Sequence, residues 1–341
     1  MVAELVSLDE VRAAARRLTG VVVRTPLIPF VAENANLLIK PESLQPTGAF
    51  KLRGAYNAIS ALFAAEEPAA AKANGVVAHS SGNHGFAVAY AAALLNVRAA
   101  IVVPGNAPRV KTDAIARAGA ELVRVEPTLA ARVEAAERIA RTRGYAQIPP
   151  FDDRHVIAGQ GTTGLEIAED CARNKSPRAV LVPVSGGGLI SGIAVAIRAL
   201  MPRTKVIGVE PELAADARES LHSGTRIAWP ASDVARTIAD ALRVERVGEL
   251  TFPHIRELVS DIVTVTDDEM LTAVRRLALN ARLVAEPGGA AAVAACLFRN
   301  AGELGLAEDD DAPVVAVLSG GNIDPALLAE ALTPKTESYN R

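Results

Sequence analysis

A lysine follows a turn sequence directly in the run Gln45-Pro46-Thr47-Gly48-Ala49-Phe50-Lys51 of this 341-residue chain. The pattern predicts a helix that begins near Lys51 and extends to about Phe63. Unpaired amide groups at such a start disfavour a nearby ammonium, and Phe50 can add an apolar wall. Both effects lower the pKa of the amine, as an imine-forming lysine requires. Because lysines at helix starts are more often surface charges, this run alone decides nothing.

A glycine run separates a predicted buried strand, Val180 to Val184, from a predicted helix, Leu189 to Leu200. The intervening residues are Ser185-Gly186-Gly187-Gly188. Glycines let the backbone turn its N–H groups inward, and the helix start adds its dipole, so the loop suits a phosphate monoester. A bare glycine run is more often a flexible turn, but the order strand, glycines, helix favours an anion site.

A polar run, His79 to Gly85, lies between the predicted strand Gly75 to Ala78 and the predicted helix Phe86 to Leu95. Its hydroxyl, amide and N–H groups could hold a substrate carboxylate and a phenolic oxygen. The alternative is an ordinary capped helix with Ser80 or Ser81 as the N-cap. Capping needs only one of these side chains, so the surplus of polar groups favours a site.

A serine directly follows the predicted strand Val314 to Leu318, in Ser319-Gly320-Gly321-Asn322. Its hydroxyl can hydrogen-bond a neutral ring nitrogen at the strand end, where open α/β sheets usually bind ligands. An imine-forming lysine, a phosphate loop and a hydroxyl for a ring nitrogen together describe a site for pyridoxal 5′-phosphate (PLP).

These segments, in this order, resemble the fold-type II PLP enzymes, and within them the threonine dehydratase and serine racemase family. The resemblance extends over nearly the whole chain and includes Phe151 to Asp153, Ala158 to Thr162, Thr237 to Asp240 and Glu286 to Gly289. It implies a tryptophan synthase β-like α/β fold with two three-layer α/β/α domains and mostly parallel sheets. A small domain at residues 50–150 would be inserted into a large PLP-binding domain of residues 1–49 and 151–341, with the active site between them.

Strands and helices alternate along the chain, which independently argues for a mostly parallel sheet covered by helices. Ser7 to Glu10 is a capping-box sequence for a first helix that ends before Gly20. Strands are predicted near Leu37, Val76, Ile101, Leu122, Val180, Val206, Val263 and Val315. Further helices are predicted at Lys111 to Ala118, Thr128 to Arg143, Thr163 to Arg173, Asp267 to Arg282 and Gly289 to Arg299.

Composition restricts the partners and the compartment. The net charge of −3 does not indicate binding to nucleic acid or to an anionic membrane. No apolar run reaches the ~18 residues needed to span a bilayer. Acidic residues interrupt the short apolar stretch at the N-terminus, so no signal peptide is expected. Cys171 and Cys296 are interpreted as reduced core residues of a cytoplasmic protein rather than catalytic thiols. The resemblance adds a small amino acid as substrate and a homodimer as assembly.

The resemblance also implies a reaction. The substrate amine displaces Lys51 from PLP, the freed lysine removes the Cα proton, and the β-hydroxyl leaves as water. The resulting enamine of L-serine or L-threonine then hydrolyses to a 2-oxo acid and ammonia. The implied substrate contacts are Ser80, Ser81, Asn83 and His84. The implied cofactor contacts are Phe50, Lys51, Asn83, Ser185, Gly186, Gly187, Gly188, Leu189 and Ser319.

Two further residues bear on the type of reaction. Serine at position 81 is typical of serine racemases and 3-hydroxyaspartate dehydratases, and its hydroxyl could reprotonate Cα on the face opposite Lys51; alternatively, it only caps the helix or binds carboxylate. Arg132 matches a racemase-like position that could pair with a side-chain carboxylate, or it is a solvated arginine.

A metal site is expected at Glu210, Ala214 and Asp216, which match the racemase-type metal loop. Two carboxylates and a backbone carbonyl, completed by waters, suit Mg²⁺ or Ca²⁺ better than zinc. Without the resemblance, two acids in a loop would be interpreted as surface charge.

Several functions remain open on the sequence. The favoured one is a PLP-dependent dehydratase with racemisation as a side activity. The enzymatic alternatives are serine racemase as the main activity and L-threo-3-hydroxyaspartate ammonia-lyase. An alternative from another class is a PLP-binding, ligand-sensing protein without turnover. Activation by ATP is not expected, because Phe86 and Ala118 stand where nucleotide-activated racemases have polar or tyrosine residues.

Overall fold

The computed structural model describes residues 4–31, 36–64, 73–107, 109–172, 176–307 and 311–333. Within these ranges the strands are β1 (Ile28–Pro29), β2 (Leu37–Pro41), β3 (Gly75–His79), β4 (Ala99–Pro104), β5 (Glu121–Val125), β6 (Tyr145–Gln147), β7 (Ala179–Pro183), β8 (Lys205–Pro211), β9 (Asp261–Val265) and β10 (Val314–Leu318).

The described helices are α1 (Leu8–Leu18), α2 (Lys51–Ala64), α3 (Asn83–Leu94), α4 (Arg109–Arg117), α5 (Leu129–Arg143), α6 (Arg154–Cys171), α7 (Gly188–Leu200), α8 (Asp216–Ser223), α9 (Ala231–Val234), α10 (Thr251–Leu258), α11 (Asp267–Arg276), α12 (Pro287–Phe298) and α13 (Pro325–Leu332). None of these helices has the length and apolarity that a bilayer crossing requires.

The strands form two sheets. The larger has the order β1-β2-β10-β7-β8-β9, in which only β1 runs antiparallel to its neighbour. The smaller has the order β5-β4-β3-β6 and is parallel throughout. The predicted α/β architecture with mostly parallel sheets is confirmed. The domain limits at residues 50 and 150 stay a prediction, since α2 packs against both α3 and α6.

Successive strand residues face opposite sides of each sheet, as the two-residue strand period requires. In the smaller sheet, Val76 and Ile101 pack with α2, α3 and α4, whereas Val77 and Val102 pack with α5. The larger sheet has the same arrangement, with α11 and α12 on one face and α7 and α10 on the other. Each sheet is therefore the middle of a three-layer sandwich.

The first helix and eight of the ten described strands follow the sequence predictions, including the capping box between Ser7 and Glu10. The main error is α6, which begins nine residues before the predicted Thr163. Glycines lower helix propensity, so the run Gly159 to Gly164 argued against a helix. These glycines instead permit close packing: a Cβ on Gly159 would lie 2.5 Å from the carbonyl oxygen of Arg53.

Other elements also differ from the predictions, among them the helices α8, α9, α10 and α13, which were not predicted. The strands β1 and β6 were missed because they contain only two and three residues. The helix predicted to reach Arg282 ends as α11 at Arg276 and is followed by a π-helical turn, Leu277–Ala281.

A buried ionic network fixes the start of α2. The fully buried Arg53 donates from Nε to Oε2 of Glu42 at 2.7 Å and from Nη1 to Oε1 of Glu166 at 2.7 Å. The buried Lys40 of β2 donates to Oε2 of Glu166 at 2.6 Å. The network therefore joins β2, α2 and α6, and it holds α2 at Arg53, two residues after Lys51.

Replacing Arg53 should destabilise the fold strongly, because the substitution removes the ion-pair partner of the buried Glu42 and leaves Glu166 with Lys40 alone. We expect Arg53→Ala to lower the free energy of unfolding by about 3–5 kcal/mol, measured by urea titration. The matched control is Arg143→Ala, which removes an exposed pair with Glu121 and should cost about 1 kcal/mol or less. If both variants lose the same small free energy of unfolding, the network does not hold α2.

Candidate active site

The turn that carries Lys51 is bound to the segment after β10. The backbone N–H of Phe50 donates to the carbonyl oxygen of Ser319 at 3.1 Å. Gly48 has a φ of +72°, and a Cβ at this position would lie 2.3 Å from Oδ1 of Asn322. Both the left-handed conformation and the close approach require glycine. This geometry places Lys51 at the carboxyl end of β10.

The amine of Lys51 is bound to a backbone carbonyl and lies beside an aromatic ring. Its Nζ donates to the carbonyl oxygen of Pro150 at 2.7 Å and lies 5.0 Å from the ring centroid of Phe50. Burial lowers the pKa of Lys51 to about 8, and the negative charge of Glu286 opposes part of that shift. The lowered pKa predicted from the sequence is confirmed, with burial as its largest cause. The amine is therefore partly unprotonated near neutral pH.

The turn before α3 presents donors rather than a capped helix end. The N-cap is Gly82, without a side-chain capping bond, so the alternative that Ser80 or Ser81 caps the helix is wrong. Helix α3 begins at Asn83, and its first backbone bond to the cap runs from Phe86 to Gly82 at 3.2 Å. The N–H groups of residues 83–85 precede that bond. Together with the half-buried hydroxyls of Ser80 and Ser81, they can receive a carboxylate.

The side chain of His84 is bound to the backbone. It is buried, and Nε2 donates to the carbonyl oxygen of Ile148 at 2.8 Å. Burial, followed by the charge of Lys51, lowers the pKa of His84 to about 3. The imidazole is therefore neutral at physiological pH. The donor that His84 can offer to a carboxylate is its backbone N–H in the first turn of α3.

Asn83 is oriented by a glutamate and a second asparagine. Its Nδ2 donates to Oε1 of Glu286 at 2.6 Å, and its Oδ1 accepts from Nδ2 of Asn322 at 2.8 Å. Glu286 is only 4% exposed and directly precedes α12. Sequence reasoning noted the Glu286 run only as a family landmark and missed it as a site residue. Its position directly before a Pro-Gly-Gly helix start was the available signal.

The glycine loop lies between β7 and α7, as predicted, with α7 beginning one residue early at Gly188. Gly187 has a φ of +91°, a conformation that favours glycine. A Cβ on Gly186 would lie 2.3 Å from the ring of Phe151, and one on Gly188 would lie 3.0 Å from the same residue. The loop therefore needs all three glycines, and it ends on a helix start that suits a phosphate.

Ser319 and the glycine loop share one edge of the larger sheet. Strand β10 pairs with β7 in parallel, so the two carboxyl ends are adjacent. Ser319 is 6% exposed, and Leu189 is buried in the first turn of α7. The Lys51 turn, the glycine loop and Ser319 thus lie at this edge, where open α/β sheets usually bind ligands.

Arg132 lies on α5, which packs against the smaller sheet. It is half-buried on α5, and its Nε donates to the carbonyl oxygen of Thr128 at 3.3 Å. Burial, and then the charge of Arg132, lower the pKa of His79, the last residue of β3. The guanidinium is therefore close enough to act electrostatically on the end of β3, one residue before Ser80.

Glu210 and Asp216, predicted to hold a metal, are both buried, and so is Ala214. The carboxylate of Glu210 accepts the N–H groups of Ala217 at 3.1 Å and Arg218 at 2.8 Å. Within the described part of the chain, Oδ2 of Asp216 has no hydrogen-bond partner. Burial and then Asp216 raise the pKa of Glu210, and burial raises the pKa of Asp216 to about 7.

Two neighbouring carboxylates whose charged forms are disfavoured by burial fit a hard divalent cation. The residues that the structure describes contain no group of three or more His, Cys, Asp or Glu side chains that could hold a metal. The predicted ligand set contains only two carboxylates, and its third protein ligand is the backbone carbonyl of Ala214, so it is not a group of that kind.

The cysteines take no part in this site. Both are free thiols, and burial raises the pKa of Cys171 to about 11 and that of Cys296 to about 12. A thiol must ionise to act as a nucleophile, so these values argue against a catalytic cysteine.

Comparison with known proteins identifies the family. The family model described as pyridoxal-phosphate dependent enzyme matches residues 18–320. L-threo-3-hydroxyaspartate ammonia-lyase of Saccharomyces cerevisiae is 38% identical over 96% of this chain and 97% of its own. Serine racemase of Arabidopsis thaliana is 39% identical over 94% of each chain. The crystal structure of threonine deaminase from T.th. has a TM-score of 0.84 and 42% identity, and covers 93% of this chain and 99% of its own.

The reactivity of Lys51 should follow its lowered pKa. In protein freed of cofactor, we expect acylation of Lys51 to rise with pH about a midpoint near 8, because only the unprotonated amine reacts. Pulse labelling with acetic anhydride across a pH series, read by peptide mass spectrometry, measures this midpoint. The exposed Lys205 is the internal reference in the same samples. A Lys51 midpoint near the ordinary value of about 10.4 would contradict the account of its burial.

Proposed function

Because this chain belongs to the pyridoxal-phosphate dependent enzyme family, we propose that it is a dehydratase of β-hydroxy amino acids. L-Serine or L-threonine would be converted to a 2-oxo acid and ammonia, with racemisation as a side activity. The observation that carries this proposal is the position of Lys51. Its amine, with a pKa of about 8, is bound to the carbonyl oxygen of Pro150, and the turn that carries it is bound to the segment after β10.

The residues around Lys51 fit PLP at each of its polar groups. We assign the phosphate to Ser185 to Gly188 and the start of α7, the ring nitrogen to Ser319, and the ring oxygen to Asn83. When bound, PLP supplies an electrophilic carbon and an electron-accepting ring. The support for this assignment is the glycine loop, whose three glycines have no room for a Cβ, and its place beside Ser319 on one sheet edge.

Proton transfer at Cα is assigned to Lys51. An amine with a pKa of about 8 can accept a proton near neutral pH and return it, as a general base must. The neighbouring His84 cannot substitute for it, because the pKa of its imidazole is about 3 and its Nε2 is bound to Ile148.

Binding of the substrate carboxylate is assigned to the turn before α3. The first N–H groups of the helix, at residues 83–85, point out of the helix start and favour an anion. The hydroxyls of Ser80 and Ser81 add donors beside them. This arrangement would orient the amino acid with its Cα between Lys51 and Ser81, from which Ser81 could reprotonate the opposite face.

A second candidate is L-threo-3-hydroxyaspartate ammonia-lyase activity, which one observation favours. Arg132 acts electrostatically on His79, one residue before Ser80, and is therefore near the proposed carboxylate site. A guanidinium there could pair with the second carboxylate of a dicarboxylic substrate. The similarity to the yeast enzyme of that name agrees with this candidate.

We also propose that Mg²⁺ or Ca²⁺ binds Glu210, Asp216 and the carbonyl of Ala214. The support is the unpartnered Oδ2 of Asp216 and the raised pKa values of the two buried carboxylates. Glu210 lies near the end of β8 and Asp216 begins α8, so a cation here would stabilise the connection between this strand and this helix. Its role would be structural.

We also propose a compartment, an assembly and a domain movement for this enzyme. Two free cysteines and the family resemblance support a cytoplasmic enzyme. The resemblance also supports a homodimer, and a small domain of residues 50–150 that can close on the remainder of the chain over the active site.

The substrate proposal is tested with purified protein supplied with PLP. We expect 2-oxo acid from L-serine or L-threonine, and Ser81→Ala should abolish D-serine formation while leaving L-serine elimination largely intact. Chiral chromatography and 2-oxo acid assays of reactions with L-serine, L-threonine, D-serine and L-threo-3-hydroxyaspartate measure both activities. Equal loss of both activities in Ser81→Ala would refute the assignment of one proton donor to each face.

Arg132→Ala separates the two candidates in the same assay. It should reduce turnover of L-threo-3-hydroxyaspartate selectively if that dicarboxylic acid is the main substrate. Bound PLP without 2-oxo acid from any of these amino acids would refute catalysis and favour a ligand-sensing protein.

The metal proposal predicts a cation-dependent melting temperature. At a concentration about 100 times its dissociation constant, Mg²⁺ or Ca²⁺ should raise the melting temperature of chelator-treated protein by about 5 °C. Asp216→Asn should abolish this response, whereas Asp261→Asn, at an exposed carboxylate beside His222, should retain it. An unchanged melting temperature after chelation and cation addition would count against the site.

A further inference from the structure

The first turn of α10 lies against the glycine loop. Thr251 is fully buried, and its Oγ1 donates to the carbonyl oxygen of Gly186 at 2.6 Å. The backbone N–H of Gly248 donates to the same oxygen at 3.3 Å. A Cβ on Gly187 would lie 2.9 Å from both Cβ and Oγ1 of Thr251. Thr251 therefore contacts two residues of the loop from one side.

We propose that Thr251 is a positioning residue for the cofactor phosphate. In a trans peptide the C=O and N–H groups point in opposite directions. The hydroxyl of Thr251 holds the Gly186 carbonyl on the α10 side, so the N–H of Gly187 in the same peptide unit points away from α10. That N–H is one of the donors with which a glycine loop binds a phosphate.

Thr251 is itself held at both of its backbone groups. Its N–H donates to Oδ1 of Asp152 at 3.3 Å, and its carbonyl oxygen accepts from Oγ of Ser191 in α7 at 3.3 Å. Asp152 also accepts the N–H groups of Glu249 at 2.9 Å and Leu250 at 2.8 Å. The orientation of the Thr251 hydroxyl is thus fixed by the same helix that receives the phosphate.

The segment Pro150 to Asp152 connects this support to the reactive lysine. The carbonyl oxygen of Pro150 accepts from Nζ of Lys51, Phe151 packs against Gly186 and Gly188, and Asp152 binds the start of α10. The two ends of the proposed cofactor site, the amine and the phosphate loop, are therefore positioned by three consecutive residues.

A second threonine provides a matched control. Thr204 is also buried, and its Oγ1 donates to the carbonyl oxygen of Pro177 at 2.6 Å. It directly precedes β8, at the amino end of the strand and away from the ligand-binding edge. Thr204→Val removes an equivalent hydrogen bond with no contact to the glycine loop.

The experiment compares the binding of PLP with that of pyridoxal, which lacks the phosphate, to enzyme resolved of its cofactor. Thr251→Val should weaken PLP binding about 10-fold, the usual effect of losing one neutral hydrogen bond, and should leave pyridoxal binding unchanged. Thr251→Ser keeps a hydroxyl and should bind PLP as the wild type does, and Thr204→Val should change the binding of neither ligand. The readout is absorbance titration, with the ³¹P resonance of bound PLP as a second measure.

Equal weakening of PLP and pyridoxal by Thr251→Val, or an equal effect of Thr204→Val, would overturn the proposal. If Thr251→Val does not fold, Thr251→Ala replaces it, and failure of both to fold would show a purely structural role. The inference rests on the proposed place of the phosphate in the loop. Wild-type protein that binds PLP and pyridoxal equally would refute that place, whereas unchanged selectivity in a folded Thr251→Val would refute only the role of Thr251.

Discussion

The attachment of the Lys51 turn to the end of β10 is the constraint on which the site depends. Backbone bonding between Phe50 and Ser319 places a lysine where an open α/β sheet binds ligands, and burial there lowers the pKa of its amine to about 8. An ammonium in the same place would be neither nucleophilic nor basic. The buried network around Arg53 holds the first turn of the same helix, so the backbone of Lys51 cannot move away without breaking charge-assisted bonds.

The remaining groups reach this lysine from both sheets. The smaller sheet contributes the turn before α3, and the larger contributes the glycine loop and Ser319. Asn83 connects the two sheets through its hydrogen bonds to Glu286 and Asn322. These two residues lie beside α12 and β10 of the larger sheet. An amino acid bound between them would contact donors from one sheet and the cofactor held by the other. The proposed site therefore uses groups from both sheets.

The groups with local signals were predictable from the sequence. Gly48 and Lys51 form a turn and helix start, Gly187 lies in a strand-to-helix loop, and Ser319 follows an apolar strand. The missed features depend on distant contacts: Glu286 binds Asn83 across 203 positions, and Thr251 supports Gly186 across 65 positions. The start of α6 was missed for the same reason, since its glycines oppose a helix locally and are favoured only by packing against α2 and α7.

Reduction with borohydride tests the central claim most directly, because it fixes the coenzyme permanently to the nitrogen that carries it. Protein loaded with PLP is reduced, digested and mapped by mass spectrometry. The account predicts one modified peptide, with the pyridoxyl group on Lys51, and no such product in Lys51→Ala. Modification of another lysine in the native protein, or a protein that binds no PLP after reconstitution, would contradict it.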